Sequence, residues 1–253
     1  MRKSVRRVAG LMLLSLAVAA AQAGAWGDAP THFSLNAENA VRKKFEQTFD
    51  PGLFPLFVQA AAGPDLAWTL LFQASGRTYV HDEAFVAALE HVARRPQHYL
   101  WKKSWKSTWR VIAAAWRAHH AADRVAHGEY VPDRQPQHSL VEAAVDTCVF
   151  YGKPVPEELG DSWRDVNLTE EACDPALLYW ASWVYTKGKL PVFPWMTREA
   201  LRELQESINR SYELSESQGG PQRAEKLLKL LVPGKSWETY YDASVTAIVD
   251  ALP

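Results

Sequence analysis

Residues 106–128, which read KSTWRVIAAAWRAHHAADRVAHG, decide the fold class of this 253-residue chain. Apolar residues and alanines recur in this stretch at steps of three and four, which is the spacing of a buried face on an α-helix. The same spacing continues along most of the chain, and the alternating runs typical of β-strands are scarce. The sequence therefore predicts an all-α protein that forms a single compact multi-helix domain.

Further helices are predicted on both sides of this stretch. Asp82 stands where it can cap one of them, and Thr169-Glu170-Glu171-Ala172 resembles a capping box with its acidic residues placed early. The predicted helices are 36–49, 65–71, 83–93, 106–128, 138–150, 175–187, 197–216, 222–231 and 236–252.

The long helix carries a stripe of metal-type ligands. His119, Asp123 and His127 follow one another at steps of four residues, and each step drifts only ~40° around an α-helix, so the three side chains share one face. His120 is an alternative to His119, but its offset of seven to His127 breaks the regular stripe. We therefore prefer His119.

The next helix repeats the same spacing with His138 and Glu142. The loop 128–137 contains one Gly and two Pro and is long enough to fold this helix back against the long one. Imidazole and carboxylate ligands together suit a borderline ion such as zinc. The pattern predicts a zinc site, and the alternative is a solvated helix face.

The first 25 residues are typical of a secretory signal peptide. An apolar run follows four basic residues and is shorter than the ~20 residues that span a membrane. Cleavage frames end at Ala23 and Ala25, and the second would leave Trp26 as the mature N-terminus. We expect a secreted or periplasmic protein, with an uncleaved anchor as the alternative. The basic residues are Arg2, Lys3, Arg6 and Arg7.

Export has two further implications. In an oxidising compartment Cys148 and Cys173 are expected to form a disulfide, with two buried free thiols as the alternative. Removal of the four basic residues of the leader would also shift the net charge from −1 to −5. A negative surface does not concentrate polyanions, which argues against a nucleic-acid substrate.

Five segments resemble, in the same order along the chain, the zinc-dependent phospholipase C family of bacteria. They cover residues 26–146, about half of the expected mature chain. Each motif is short, and the shared order carries the resemblance. The segments are WGDAPTH at 26–32, GPD at 63–65, HDEAF at 81–85, WRAHHAADRVAH at 116–127 and HSLVEAAVD at 138–146.

The resemblance implies that residues 26–253 form an all-α domain with three zinc ions. In the family the N-terminal Trp contributes its free amino and carbonyl groups, which makes cleavage before Trp26 attractive. His91 and His98 are alternatives to His81. The implied ligands are Asp65, His81, His119 and Asp123 for one ion, His127, His138 and Glu142 for a second, and Trp26, His32 and a bridging Asp123 for the third.

The gap between Asp123 and His127 is shorter than in the best-known secreted members and resembles a broader, less characterised branch of the family. The implied activity is hydrolysis of a phosphoester by a metal-activated water, with Asp65 as a ligand and the catalytic base. Fungal single-strand nucleases share the N-terminal Trp and the three-zinc pattern. The alternative is a non-catalytic exported protein with a structural or degenerate zinc site.

The expected partner is a phospholipid or another phosphoester substrate, and the sequence indicates no obligate protein partner. Trp101, Trp105 and Trp109 recur at steps of four with basic residues between them. An exposed stripe of this kind would contact a membrane surface. The alternative is a buried aromatic stripe on a core helix.

Overall fold

The computed structural model describes residues 29–65, 81–95, 98, 106–132, 137–189, 194–217 and 219–253. Every regular element among these residues is helical, with no strand, so the predicted all-α fold is confirmed. The described residues form ten α-helices: α1 Ala29–Ala37, α2 Asn39–Phe45, α3 Phe54–Ala60, α4 Glu83–Arg94, α5 Lys106–Val125, α6 Gln137–Gly152, α7 Pro175–Thr186, α8 Pro194–Ser217, α9 Gly220–Leu231 and α10 Trp237–Ala251.

Helix α5 lies at the centre of the molecule. Helices α1, α3, α4 and α10 all pack against it, while α6 packs against α1 and α9. Trp109 and Trp116 on α5 are fully buried, together with most of the alanines around them. Small side chains let neighbouring helices approach α5 from several sides, and one continuous core results.

Helix α1 was not predicted, because it lacks an apolar stripe. Eight of its nine residues are buried, and four of these carry polar side chains. A helix whose polar residues face the interior gives no hydrophobic periodicity to read. The helical conformation is interrupted at Glu38, before α2, whereas the sequence predicted one helix over 36–49. The buried polar residues are Thr31, His32, Ser34 and Asn36.

Three helices begin at side-chain caps. Asp82 accepts from the Ala84 amide at 3.0 Å, as predicted, and Asp174 and Ser236 cap α7 and α10. The capping box expected at Thr169 is wrong. Its hydroxyl donates to Gln59 Oε1 at 2.7 Å, and the residues that follow form only a short 3₁₀ turn.

The long helix changes its winding at its C-terminal end. The α-helix ends at Val125, and residues Ala126–Tyr130 form a π turn closed by the Val131 amide donating to the Ala126 carbonyl at 2.8 Å. The sequence predicted an α-helix as far as residue 128, which is wrong because residues 126–128 belong to the π turn. Such turns are frequent at functional sites.

Both cysteines are buried free thiols, so the predicted disulfide is wrong and its alternative applies. Cys148 lies on α6 and Cys173 in the 3₁₀ turn before α7. Burial raises the pKa of Cys148 to about 12 and also raises the pKa of Cys173. Each thiol is therefore a small apolar side chain of the core.

The leader, its cleavage site and Trp26 lie outside the described residues, as do Trp101 and Trp105. Trp109 is buried, and its indole N–H donates to Asp174 Oδ2 at 3.0 Å. This member of the tryptophan stripe belongs to the core. Among the described helices, none combines the length and the apolar character that crossing a membrane requires.

Candidate metal centre

Four donor atoms from three parts of the chain converge beside α5. His119 Nε2 lies 3.3 Å from His81 Nε2 and 3.2 Å from Asp123 Oδ2. Asp65 Oδ1 lies 3.4 Å from His81 Nε2 and 3.8 Å from His119 Nε2. The remaining measured separation, between His81 Nε2 and Asp123 Oδ2, is 3.8 Å.

These five separations resemble five of the six edges of a tetrahedral site. Donors about 2.0–2.1 Å from a common centre lie about 3.3–3.4 Å from one another along the edges of a tetrahedron. Three of the five separations are within 0.2 Å of that range, and the other two, of 3.8 Å, are longer. The residues present therefore fit a bound metal ion.

His32 extends this cluster on the other side of Asp123. Its Nε2 lies 3.1 Å from Asp123 Oδ1, while the other carboxylate oxygen faces His119, so the Asp123 carboxylate lies between two imidazoles. The ring of His32 stacks on that of His119 at 3.7 Å. Within the described structure, the buried His32 Nδ1 and Asp65 Oδ2 make no hydrogen bond. Buried polar atoms usually have hydrogen-bond partners, so unpaired ones in this cluster are consistent with a site that binds a ligand.

The backbone positions of these ligands follow from local packing. Helix α1 carries His32, α5 carries His119 and Asp123, and His81 directly precedes the cap of α4. Asp65 follows the turn after α3, where Gly63 lies against the indole of Trp116. A β-carbon at Gly63 would come within 2.1 Å of Trp116 Nε1, so only glycine allows this close approach.

Backbone carbonyls orient two of the imidazoles. His119 Nδ1 lies 2.8 Å from the Ala61 carbonyl and His138 Nδ1 lies 3.1 Å from the Pro132 carbonyl. A carbonyl oxygen only accepts, so each Nδ1 carries a proton, and Nε2 is the ring nitrogen that faces the site. Such bonds are the usual second contact of a metal-binding histidine.

A second group joins the π turn after α5 to the beginning of α6. The donor atoms of His127, His138 and Glu142 lie within 4.8 Å of one another. His138 Nε2 is 2.7 Å from Glu142 Oε1, and the rings of His127 and His138 are parallel with their centroids 5.0 Å apart. His127 is exposed and lies in the π turn, which sets the direction of its ring.

The carboxylates of the first group are held ionised. Burial alone would raise the pKa of Asp123, but the charge of His119 and hydrogen bonds from His119 and His32 hold that pKa well below its usual range. Burial likewise opposes ionisation of Asp65, and His119, His81 and His32 together lower its pKa. Both side chains are therefore ready to coordinate a cation without losing a proton.

No family model, curated protein or solved structure matches this chain. The interpretation of the cluster rests on its own chemistry and geometry.

The three alternative histidines lie elsewhere. His91 and His98 are exposed and belong to neither group of converging donors. His120 is buried and its ring lies 6.0 Å from that of His81, but His119 supplies the donor nitrogen that meets Asp65 and Asp123.

Sequence reasoning missed Asp146, a buried carboxyl on α6. Its Oδ1 accepts hydrogen bonds from the hydroxyl and the amide of Thr31, at 2.5 Å and 3.3 Å. Burial raises the pKa of Asp146 to about 8, and the charges of Glu142 and Asp65 add to the rise. The missed signal is its place four residues after Glu142, which continues the stripe that begins at His138.

Proposed function

We propose that this protein is a secreted or periplasmic zinc-dependent hydrolase of phosphoesters, a phosphodiesterase similar to phospholipase C. The convergence of Asp65, His81, His119 and Asp123, with donor separations of 3.2–3.8 Å, is the observation that carries the proposal. The second group, formed by the π turn after α5 and the beginning of α6, supports a site with more than one ion.

Zinc is the ion that this donor set favours. Magnesium and calcium prefer oxygen ligands, whereas each of the two groups combines imidazole with carboxylate. The thiolates that would favour softer ions are absent from both groups. The third position would use His32 and Asp123 with the amino and carbonyl groups of Trp26, which rests on the family resemblance and on cleavage after Ala25.

Clustered zinc ions, when bound, supply the charge that activates a water molecule and neutralises phosphoryl oxygens. The chain contributes orientation and a proton acceptor. Asp65 Oδ1 faces His81, and its buried Oδ2 makes no hydrogen bond among the described residues, so this oxygen would be the acceptor for a water molecule held inside the site. Because the pKa of Asp65 is lowered, the carboxylate is ionised at neutral pH and accepts that hydrogen bond.

The substrate class follows from charge and from the resemblance. Loss of the leader would leave a net charge of −5, which disfavours nucleic acids as substrates. A phospholipid, or a smaller phosphodiester with the same linkage, is the substrate we propose. Contact with a membrane surface would involve parts of the chain other than Trp109, which is buried.

Metal content and turnover test the proposal together. We expect the purified protein to contain zinc, to hydrolyse a chromogenic phosphodiester, and to lose both properties in a chelator until zinc is returned. His119→Ala should abolish turnover, while His91→Ala, at an exposed position outside the groups, should keep it. A fully loaded protein that hydrolyses no lipid, nucleotide or chromogenic ester would instead favour the non-catalytic alternative. N-terminal sequencing should give Trp26.

Stoichiometry tests the bridging carboxylate. Asp123 faces His32 with one oxygen and His119 with the other. Asp123→Ala should therefore remove more than one zinc ion per chain, whereas Glu142→Ala should remove one. Elemental analysis after dialysis measures both, and a loss of a single ion in Asp123→Ala would contradict the bridge.

A further inference from the structure

Asp146 joins the helix that carries His32 to the helix that carries His138 and Glu142. Its Oδ1 accepts the Thr31 hydroxyl at 2.5 Å and the Thr31 amide at 3.3 Å, across 115 residues of sequence. Both side chains are buried, so water does not compete for these bonds. Thr31 immediately precedes His32 on α1.

We propose that Asp146 is a positioning residue of the metal centre, which through Thr31 fixes α1 and therefore the imidazole of His32 against Asp123. The inference rests on the proposed zinc site. Two hydrogen bonds to one residue, one of them from the backbone, fix both the height and the rotation of the helix at that point.

Other bonds of α1 do not perform this task. Asn36 Nδ2 donates to the His32 carbonyl within the same helix. Ser34 exchanges a hydrogen bond of 2.7 Å with Tyr241 on α10, a helix that contributes no donor to either group. Among the described polar contacts of α1, two reach another helix that carries candidate ligands. One is the pair of His32 with Asp123, and the other is the contact of Thr31 with Asp146.

The ring of His32 depends on this placement. Its Nδ1 has no hydrogen bond among the described residues, so no second contact of the kind that holds His119 and His138 orients it. Its orientation comes from the stack on His119 and from the position of α1 itself. A small shift of α1 would move Nε2 away from the point it shares with Asp123.

Zinc affinity of the whole protein tests the inference, with a chromogenic chelator competing for Zn²⁺. Asp146→Ala and Thr31→Val should each weaken the binding of one ion by about 10–100-fold, the usual cost of removing a contact behind a metal ligand. Asp146→Asn keeps an acceptor oxygen for both Thr31 donors and should restore affinity to within about threefold of the original. Ser34→Ala is the matched control, because it removes another buried bond of α1 and should leave all zinc affinities unchanged.

A double-mutant cycle separates positioning from general destabilisation. In a His32→Ala background, Asp146→Ala should cause no further loss of zinc affinity, because its effect acts through His32. An additive loss, or equal effects of Asp146→Ala and Ser34→Ala, would overturn the inference. If Asp146→Ala does not fold, Thr31→Val gives the same comparison, since it removes a hydroxyl at constant shape. An original protein that binds no zinc would refute the proposed function, whereas normal zinc binding in both variants refutes only the inference.

Discussion

At the scale of single residues, Gly63 shows how packing places a ligand. A β-carbon at this position would come within 2.1 Å of Trp116 Nε1, and the buried indole has no room to swing away. Gly63→Ala should therefore lower the free energy of unfolding by about 1–3 kcal/mol, as overpacking does, and displace the turn that carries Asp65.

Gly128→Ala is the matched control for this substitution. Apart from the adjoining backbone, no atom of the described residues lies within 4 Å of a β-carbon at Gly128, so we expect little loss there. Urea unfolding of the metal-free proteins measures both variants. Equal destabilisation by the two substitutions would show that the Trp116 contact does not restrict position 63.

Asp146 makes the stability of the metal-free protein depend on pH. Its pKa is about 8 in the folded protein against 3.8 as the reference, so the folded state holds a proton that the unfolded state releases between these values. Stability attributable to this group therefore falls as pH rises from about 4 to 8, by at most about 1.4 kcal/mol per pH unit. The lowered pKa values of Asp65 and Asp123 act in the opposite sense and below the reference value.

The comparison with Asp146→Asn isolates this effect. The amide cannot ionise, so in a chelating buffer the variant should lack that part of the slope and be more stable than the original protein at pH 8. Thermal unfolding from pH 5 to pH 8 measures the difference. Parallel curves for the two proteins would contradict a buried, protonated Asp146.

Sequence reasoning reached most of the candidate site because its residues are regularly spaced on helices. The i, i+4 pairs of His119 with Asp123 and His138 with Glu142 are local and therefore visible. Asp146 was missed because its role depends on a contact with Thr31, 115 residues away. A one-dimensional pattern contains no information about that pairing.

At the scale of elements, the helices that were predicted are those with a regular local pattern, and the helices that were missed lack one. Helices α4 and α5 each present a buried apolar face, and both were predicted close to their observed bounds. Helix α1 buries its polar residues, and α3 is a seven-residue apolar run too short to show a period. The expected disulfide failed for a different reason, since compartment chemistry says nothing of how far apart two side chains lie.

Gln59 on α3 ties that helix to two loops. Its amide donates to the Glu158 carbonyl at 2.8 Å, and its carbonyl accepts from the Thr169 amide and hydroxyl. Gln59→Leu would leave the Glu158 carbonyl and the Thr169 amide without these bonds, so we expect a loss of about 1–3 kcal/mol in unfolding free energy.

Thr169→Val is the companion variant, because it removes only the hydroxyl bond and should cost less. Chemical denaturation ranks the two, and metal analysis should find the zinc content of both unchanged. A loss of zinc in Gln59→Leu would mean that the loops after α6 help to shape the metal centre.

At the scale of the whole molecule, the candidate ligands come from segments that lie far apart in the sequence. Asp65 and His81 meet His119 and Asp123 of α5, and His32 of α1 lies against the other oxygen of Asp123. If the folded chain binds an ion there and the unfolded chain does not, binding raises the free energy of unfolding. The rise is about 2.7 kcal/mol when free zinc is a hundredfold above its dissociation constant. The melting temperature should therefore rise with added zinc and fall in a chelator.

A reducing agent provides the contrasting measurement. Both thiols are buried and unbonded to each other, so a phosphine reductant should leave the melting temperature unchanged. The zinc-dependent shift should also disappear in His119→Ala. A shift caused by the reductant would revive the disulfide, and a zinc shift that survives in His119→Ala would locate the stabilising ion elsewhere.

The π turn at Ala126–Tyr130 changes the angle between the side chains of Asp123 and His127 without changing the number of residues between them. Three residues stand between Asp123 and His127, and the wider winding that begins at Ala126 adjusts where His127 points. Two proteins can thus differ in the count between equivalent ligands and still present them in the same direction. The direction in which a ligand points from a helix therefore depends on the winding of the backbone as well as on the number of residues between ligands. A motif search that fixes this number will miss chains in which a π turn produces the same geometry.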